Sequence, residues 1–226
     1  MLSLEMIWPP VALTLLLASI TTTLLLPIGT ALGWWLARTQ NGLKDMVAAV
    51  VSLPLVLPPT VLGFYLLVAM GPSGPGGAVA SLWGARTLAF TFEGLVLGSL
   101  IYSMPFMVQP IRLAFEAVEE HALEAAATLG ASRRTIFFLV AVPAARLGFL
   151  SGAIMTFAHT VGEFGVVLMI GGNIPRETKV LSIAVYDFIE RGAWAEAHVI
   201  AAGMVIFAFV VVTLTMLLSR IEGVRT

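Results

Sequence analysis

In the segment TFAHTVGEFG an imidazole and a carboxylate, His159 and Glu163, stand four residues apart inside a long apolar run. That spacing places both on one face of a helix. Ionisable groups are costly in such surroundings and face a bundle interior or a cavity. Three kinds of chemistry are open to the pair: hydrogen bonding to backbone freed by a neighbouring break, bonding to each other, or a change of imidazole charge between two states. Nothing else resembles a reactive centre. The sequence has no cysteine, which removes disulfides, thiolate metal sites and a thiol nucleophile together. His121 and His198 read as interfacial residues, and no histidines or carboxylates show a metal-ligand spacing. A G-x-x-x-x-G-K-[ST] loop, which would cradle the phosphates of a nucleotide, is also missing. No cofactor or metal is implied, and a formal net charge of -1 carries no message about nucleic acid.

The elements that must position these residues are membrane helices. Of 226 residues, 59% are hydrophobic and only 11% charged, and the mean hydropathy of +0.99 lies far outside the soluble range. Five apolar segments are long enough to cross a bilayer: Val11 to Ala37, Met46 to Met70, Gly94 to Phe115, Leu147 to Gly171 and Ala197 to Ser219. The fold expected is an all-α, polytopic bundle in a single domain, residues 1–226. The start, MLSLEMIWPP, has no basic region and no cleavage site follows, so the first span is expected to stay. Arg38, Lys44, Arg112, Arg133, Arg134, Arg146, Arg220 and Arg225 fall on one side; Arg86, Arg176, Lys179 and Arg191 fall on the other. The richer side belongs in the cytoplasm, which puts the N-terminus outside and the C-terminus inside. Trp34 and Trp35 suit an inner interfacial belt and Trp194 an outer one.

The second span carries Pro54, Pro58 and Pro59, each without a backbone donor, so it is expected to kink or break. A kink tolerated in a packed bundle and a bend lining a pathway both place this segment against protein rather than lipid. Pro58, Pro59 and Thr60, with His159 and Glu163, are the candidate pathway or gate residues. The hydroxyls of Thr21, Thr22, Thr23, Thr30 and Ser103 are expected to bond within or between helices.

Between the third and fourth spans, at about residues 116–146, lies EAAATLGASRRTIFFLVAVP, Glu124 to Pro143. Ala and Leu favour a helix over Ala122 to Leu129, and Gly130 is placed to end it in the left-handed conformation. Ser132 can cap a second helix running to about Val142, where Pro143 ends or redirects it. The slim surface of Ala125, Ala126 and Ala127, with Leu123 and Leu129 as apolar anchors, would fit the groove of another protein. A solvated loop whose arginines merely set topology is the other reading of the same residues.

This stretch resembles the EAA loop of ABC-importer permeases: Glu124, Ala125, Ala126, Gly130 and Pro143 match its spacing, with Val140 and Val142 where the pattern has Ile and Leu. In that family the loop is the coupling helix seated in a cleft of a cytoplasmic ATPase subunit. The segments Leu53 to Gly71, Met107 to Val118 and Gly162 to Ile189 resemble permease subunits of molybdate ABC importers, whose members commonly carry Arg where this chain has His159. The resemblance implies a MetI-like fold with five transmembrane helices, and a second copy of the chain facing the first across the pathway. It also implies two ATPase subunits, a periplasmic or lipid-anchored binding protein, and a tetrahedral divalent oxyanion as cargo. Molybdate is the first choice and tungstate, sulfate or thiosulfate the alternatives. ATP hydrolysis then belongs to a partner chain. Glu163 has the wrong sign to hold an oxyanion and reads as structural or gating. A channel or secondary transporter working without an ATPase is the rival; it would often carry an inverted repeat, and none is evident.

Overall fold

The computed structural model describes residues 4–223, and all the regular elements among them are helices. In chain order they are α1 (Leu4–Arg38), α2 (Lys44–Val56), α3 (Pro59–Met70), the short α4 (Pro75–Ala80) with a 3-10 turn at Ser81–Trp83, and α5 (Phe92–Glu116). There follow α6 (Glu120–Thr128), α7 (Arg133–Ile136), a π-helical turn (Phe137–Ala141), α8 (Val142–Ala144), α9 (Arg146–Gly162), α10 (Gly165–Gly171), α11 (Leu181–Glu190) and α12 (Trp194–Gly223). Three continuous helices, α1, α5 and α12, are long and apolar enough to cross a membrane; counting each of two bent pairs, Lys44–Val56 with Pro59–Met70 and Arg133–Ala144 with Arg146–Gly162, as one span would make five.

The centre of the bundle is α5, which packs along α1 and α9. Lipid tails are as apolar as the helices, so close packing rather than hydrophobic transfer holds such elements together, and small residues let backbones approach. Gly33 of α1 shows this: a Cβ there would come within 2.9 Å of the Ile111 side chain on α5. Thr91 starts α5 by accepting the Gly94 N–H at 3.1 Å. One buried cluster gathers Leu17, Leu66, Met70, Leu95, Ile170 and Ile183; a second gathers Leu25, Met107, Ile111 and Phe115 towards the end that carries α6.

The spans differ in detail from the sequence expectation. The first begins earlier, at Leu4, and carries Pro9, Pro10 and Pro27 inside the helix. The second is broken: α2 and α3 meet at 111°. Pro58 and Pro59 offer no N–H to the carbonyls of Pro54 and Leu55, and Pro58 is extended (ψ 132°) before Pro59 opens α3. The region expected as the fourth span is interrupted too, for α9 stops at Gly162 and α10 starts at Gly165. Leu55, Pro58, Pro59, Thr60, Phe64 and Tyr65 are exposed on this chain, so any protein cover for the second span must come from elsewhere. Trp34 is half-buried against Phe115 and Phe137, whereas Trp194 is exposed at the start of α12. Thr23 and Thr30 donate to carbonyls one turn back, as expected, but the buried hydroxyls of Thr21 and Thr22 have no partner.

Candidate functional site

Two places hold the residues singled out by sequence. The first is the loop between α5 and α9. No residue of α6 is buried. Leu123 and Ala126, three apart, share the half-covered face, and Leu123 packs with Trp34, Phe115 and Phe137 in the second core cluster. Leu123 is therefore committed to its own chain, contrary to the expectation that it anchors a partner. Glu124, Ala125, Ala127 and Leu129 point outward, and the Leu129 side chain is 88% exposed. Gly130 ends the helix at φ +83°, donating its N–H to Ala127 O at 2.9 Å, while Ala131 N–H reaches Ala126 O at 3.0 Å. This left-handed closure is what glycine supplies at low cost.

Ser132 then caps α7 by accepting the Thr135 N–H at 3.2 Å. The second arm continues past Val142 to Ala144 before the chain turns by 67° into α9. Pro143 lacks a donor and would crowd the Leu139 carbonyl in a regular helix; the π turn over Phe137–Ala141 absorbs that misfit. The product is an exposed helix on a proline-terminated stem.

The second place lies within the bundle, where the two interrupted helices meet. A Cβ on Gly165 would come within 2.7 Å of Pro59, so the break before α10 packs directly on the break before α3. Glu163 is not in the helix with His159: it is extended (φ −65°, ψ 130°) just beyond the end of α9. Its backbone carbonyl accepts from Ser182 Oγ. Its carboxylate is 3% exposed, and Oε2 accepts from Ser99 Oγ at 2.8 Å while Oε1 has no partner.

One turn along α5, Ser103 lies 2.9 Å from His159 Nδ1 and 3.0 Å from Thr160 Oγ1. Thr160 gives its proton to Thr156 O at 3.0 Å. Ser103 must then donate to Thr160 and accept from His159, which puts the proton on Nδ1. The imidazole stacks on Phe106 at 4.0 Å and meets Tyr102 at 4.7 Å. Ser99 and Ser103 thus bond Glu163 and His159 separately; the two ionisable groups do not bond each other. Sequence reasoning missed Ser99, although its four-residue spacing to Ser103 mirrors that of His159 to Glu163. Thr60 stays exposed and has no hydrogen bond to this cluster. No lysine or arginine pairs with Glu163 among the described residues.

A third polar group was not anticipated. At the end opposite α6, Asp187 on α11 receives Lys179, Asn173 Nδ2 at 3.1 Å and Arg191 at 2.8 Å. Burial opposes its ionisation, but the hydrogen bonds from Lys179 and Asn173 and the charges of Lys179 and Arg191 outweigh it, holding the carboxyl below its ordinary pKa. The four-residue step from Asp187 to Arg191 was the available signal.

Broken helices meeting inside a bundle of apolar helices, with an exposed helix at one end, are an architecture found in polytopic membrane transport subunits. The model of the binding-protein-dependent transport system inner membrane component family matches residues 29–223. A molybdenum transport system permease protein, ModB, of Azotobacter vinelandii is 58% identical over 201 residues, covering 89% of each chain. The protein of that name in Escherichia coli K12 is 36% identical over 213 residues, 94% of this chain and 92% of that one. Among solved structures, a chain of a bacterial alginate ABC transporter in complex with its pentasaccharide-bound periplasmic protein superimposes with a TM-score of 0.73, covering 94% of this chain and 77% of that one at 16% identity. The chain belongs to the family of binding-protein-dependent transport system inner membrane components.

Proposed function

We propose that this chain is the permease subunit of an ATP-driven importer that carries molybdate across the inner membrane by alternating access. The observation that carries the reading is α6, unburied along its length and tipped by the 88% exposed Leu129 at a left-handed glycine. Such an element is tied to its own chain chiefly through Leu123 and fits the cleft of a separate ATPase subunit, with Glu124, Ala125, Ala126 and Gly130 forming the contact and Pro143 stiffening the stem. Residues 1–226 act as one permease domain whose coupling loop spans about 116–146. The α6 end faces the cytoplasm, which puts the N-terminus outside and the C-terminus inside. Arg225, counted for that orientation, lies outside the described residues.

Two copies face each other across the exposed break at Pro58, Pro59 and Thr60, which needs cover from protein or water. Two ATPase subunits sit below, and a periplasmic or lipid-anchored binding protein delivers the anion from above. The polar cluster of Ser99, Ser103, His159 and Glu163 braces the paired breaks and moves when they part; it does not bind cargo. Among the described residues no lysine or arginine pairs with this cluster, which suits an anion that must leave as readily as it enters. Molybdate is favoured by the relatives at 58% and 36% identity, both named for molybdenum transport. Tungstate, sulfate or thiosulfate would use the same frame. To test the reading, the chain is purified gently from its own membranes by a C-terminal tag. A stoichiometric ATPase subunit, lost from Gly130→Pro, supports it; a chain that comes alone and still moves oxyanions without ATP refutes it.

A further inference from the structure

Arg38, the last residue of α1, reaches into the loop that carries α6. Its Nη2 donates to Phe115 O at 2.9 Å and to Val118 O at 3.0 Å. The first of these carbonyls belongs to the last turn of α5 and the second to the link entering α6; both lie where helical N–H partners run out, so a cation is favoured there. No carboxylate pairs with Arg38 among the described residues. The guanidinium also lies 5.5 Å from the ring centre of Trp34, one turn back on α1. Trp34 in turn meets Phe115 at 5.0 Å and Phe137 at 5.1 Å, both edge-on.

The last turn of α1 therefore touches both stems of the loop: Val118 on the way into α6 and Phe137 on the way out. Leu123, on the half-covered face of α6, enters the same cluster. A push on α6 has to pass through this junction to reach the bundle. Aromatic contacts alone can slide, whereas two charge-assisted bonds from one planar group fix the distance between α1 and the incoming stem. Resting on the importer reading above, we propose that Arg38 is a positioning residue that makes α1 follow the coupling loop. One further observation fits a junction with two arrangements: Arg38 Nε is buried without an acceptor, an unusual state for a charged donor.

The test uses the whole transporter, with its ATPase and binding protein, in lipid vesicles. Arg38→Lys is the informative variant because it keeps the positive charge that sets topology while losing the planar fork. Expected is unchanged co-purification of the ATPase subunit, together with a rise of about tenfold in ATP hydrolysed per molybdate imported, the size set by one or two charged hydrogen bonds. Arg38→Gln should raise the ratio at least as far, and if it fails to insert, Arg38→Lys alone decides. An unchanged ratio in Arg38→Lys would overturn the role. So would loss of the ATPase subunit in step with transport, since that marks Arg38 as holding the loop together and nothing more. Absence of ATP-dependent uptake by the unsubstituted complex would instead defeat the importer reading, and this role with it.

Discussion

Gly130 is the position where a single substitution separates coupling from folding. Its φ of +83° lies in the left-handed region, and a Cβ added there meets nothing within 4 Å, so Gly130→Ala brings no clash. Its whole cost is the left-handed backbone, about 1–2 kcal/mol. Gly130→Pro differs in kind. The ring fixes φ near −65°, roughly 150° from the observed value. The N–H bond to Ala127 O disappears, worth about 1 kcal/mol. Leu129, at φ −75° and ψ 5°, occupies a region that a following proline disfavours. The turn cannot persist, and α6 must change its angle to the second arm. Because α6 contributes only its half-covered face, Leu123 and Ala126, to the bundle, insertion should match the unsubstituted chain and thermal stability should fall little. The assay is anion-stimulated ATP hydrolysis and uptake by the reconstituted complex. Gly130→Ala should keep both within about tenfold, as 1.4 kcal/mol is one decade, whereas Gly130→Pro should abolish the stimulation. Normal uptake by a correctly inserted Gly130→Pro variant would refute the reasoning.

Three further outcomes follow from the same contacts. Leu129→Ala removes the most exposed apolar tip of the loop and should weaken co-purification of the ATPase subunit while leaving the melting temperature unchanged; equal recovery would show that the tip is not the contact. Ser99→Ala strips the one hydrogen bond found for the buried Glu163 carboxylate among the described residues and should destabilise the detergent-solubilised chain by about 1–3 kcal/mol, read as a lower thermal midpoint; an unchanged midpoint would contradict this. Asp187 has a depressed pKa, so its contribution to stability is present above the ordinary carboxylate pKa and is lost as pH falls through the lower folded value. Asp187→Asn should therefore melt lower than the unsubstituted chain at pH 7, with the gap closing in acid; a gap independent of pH would contradict this.

The features legible in the sequence were those set by local rules. Proline and glycine punctuation marked the break at Pro58 and the turn at Gly130, and long apolar runs marked the helices. What escaped depended on register between distant segments. The run from Leu147 to Gly171 carries no proline, yet Glu163 lies outside the helix, bonded to Ser182 and Ser99 beside the packing of Gly165 on Pro59. Leu123 and Leu129 look alike on a short helix; only the aromatic cluster around Trp34 decides that the first turns inward. The packing of Trp34 on Phe115 and Phe137, residues far off in sequence, could not be read from its own neighbours. Arg38, first noted as a topology marker, gains its meaning from two carbonyls supplied by a segment about eighty residues away.

The central claim is that this chain moves an oxyanion only when a separate ATPase drives its α6 loop. The most direct measurement is uptake of radiolabelled molybdate into vesicles holding the purified chain, with and without its ATPase subunits, loaded binding protein and ATP. Uptake that requires all of these and stops in Gly130→Pro is the result predicted. Molybdate entry through the chain alone, indifferent to ATP, would contradict the account.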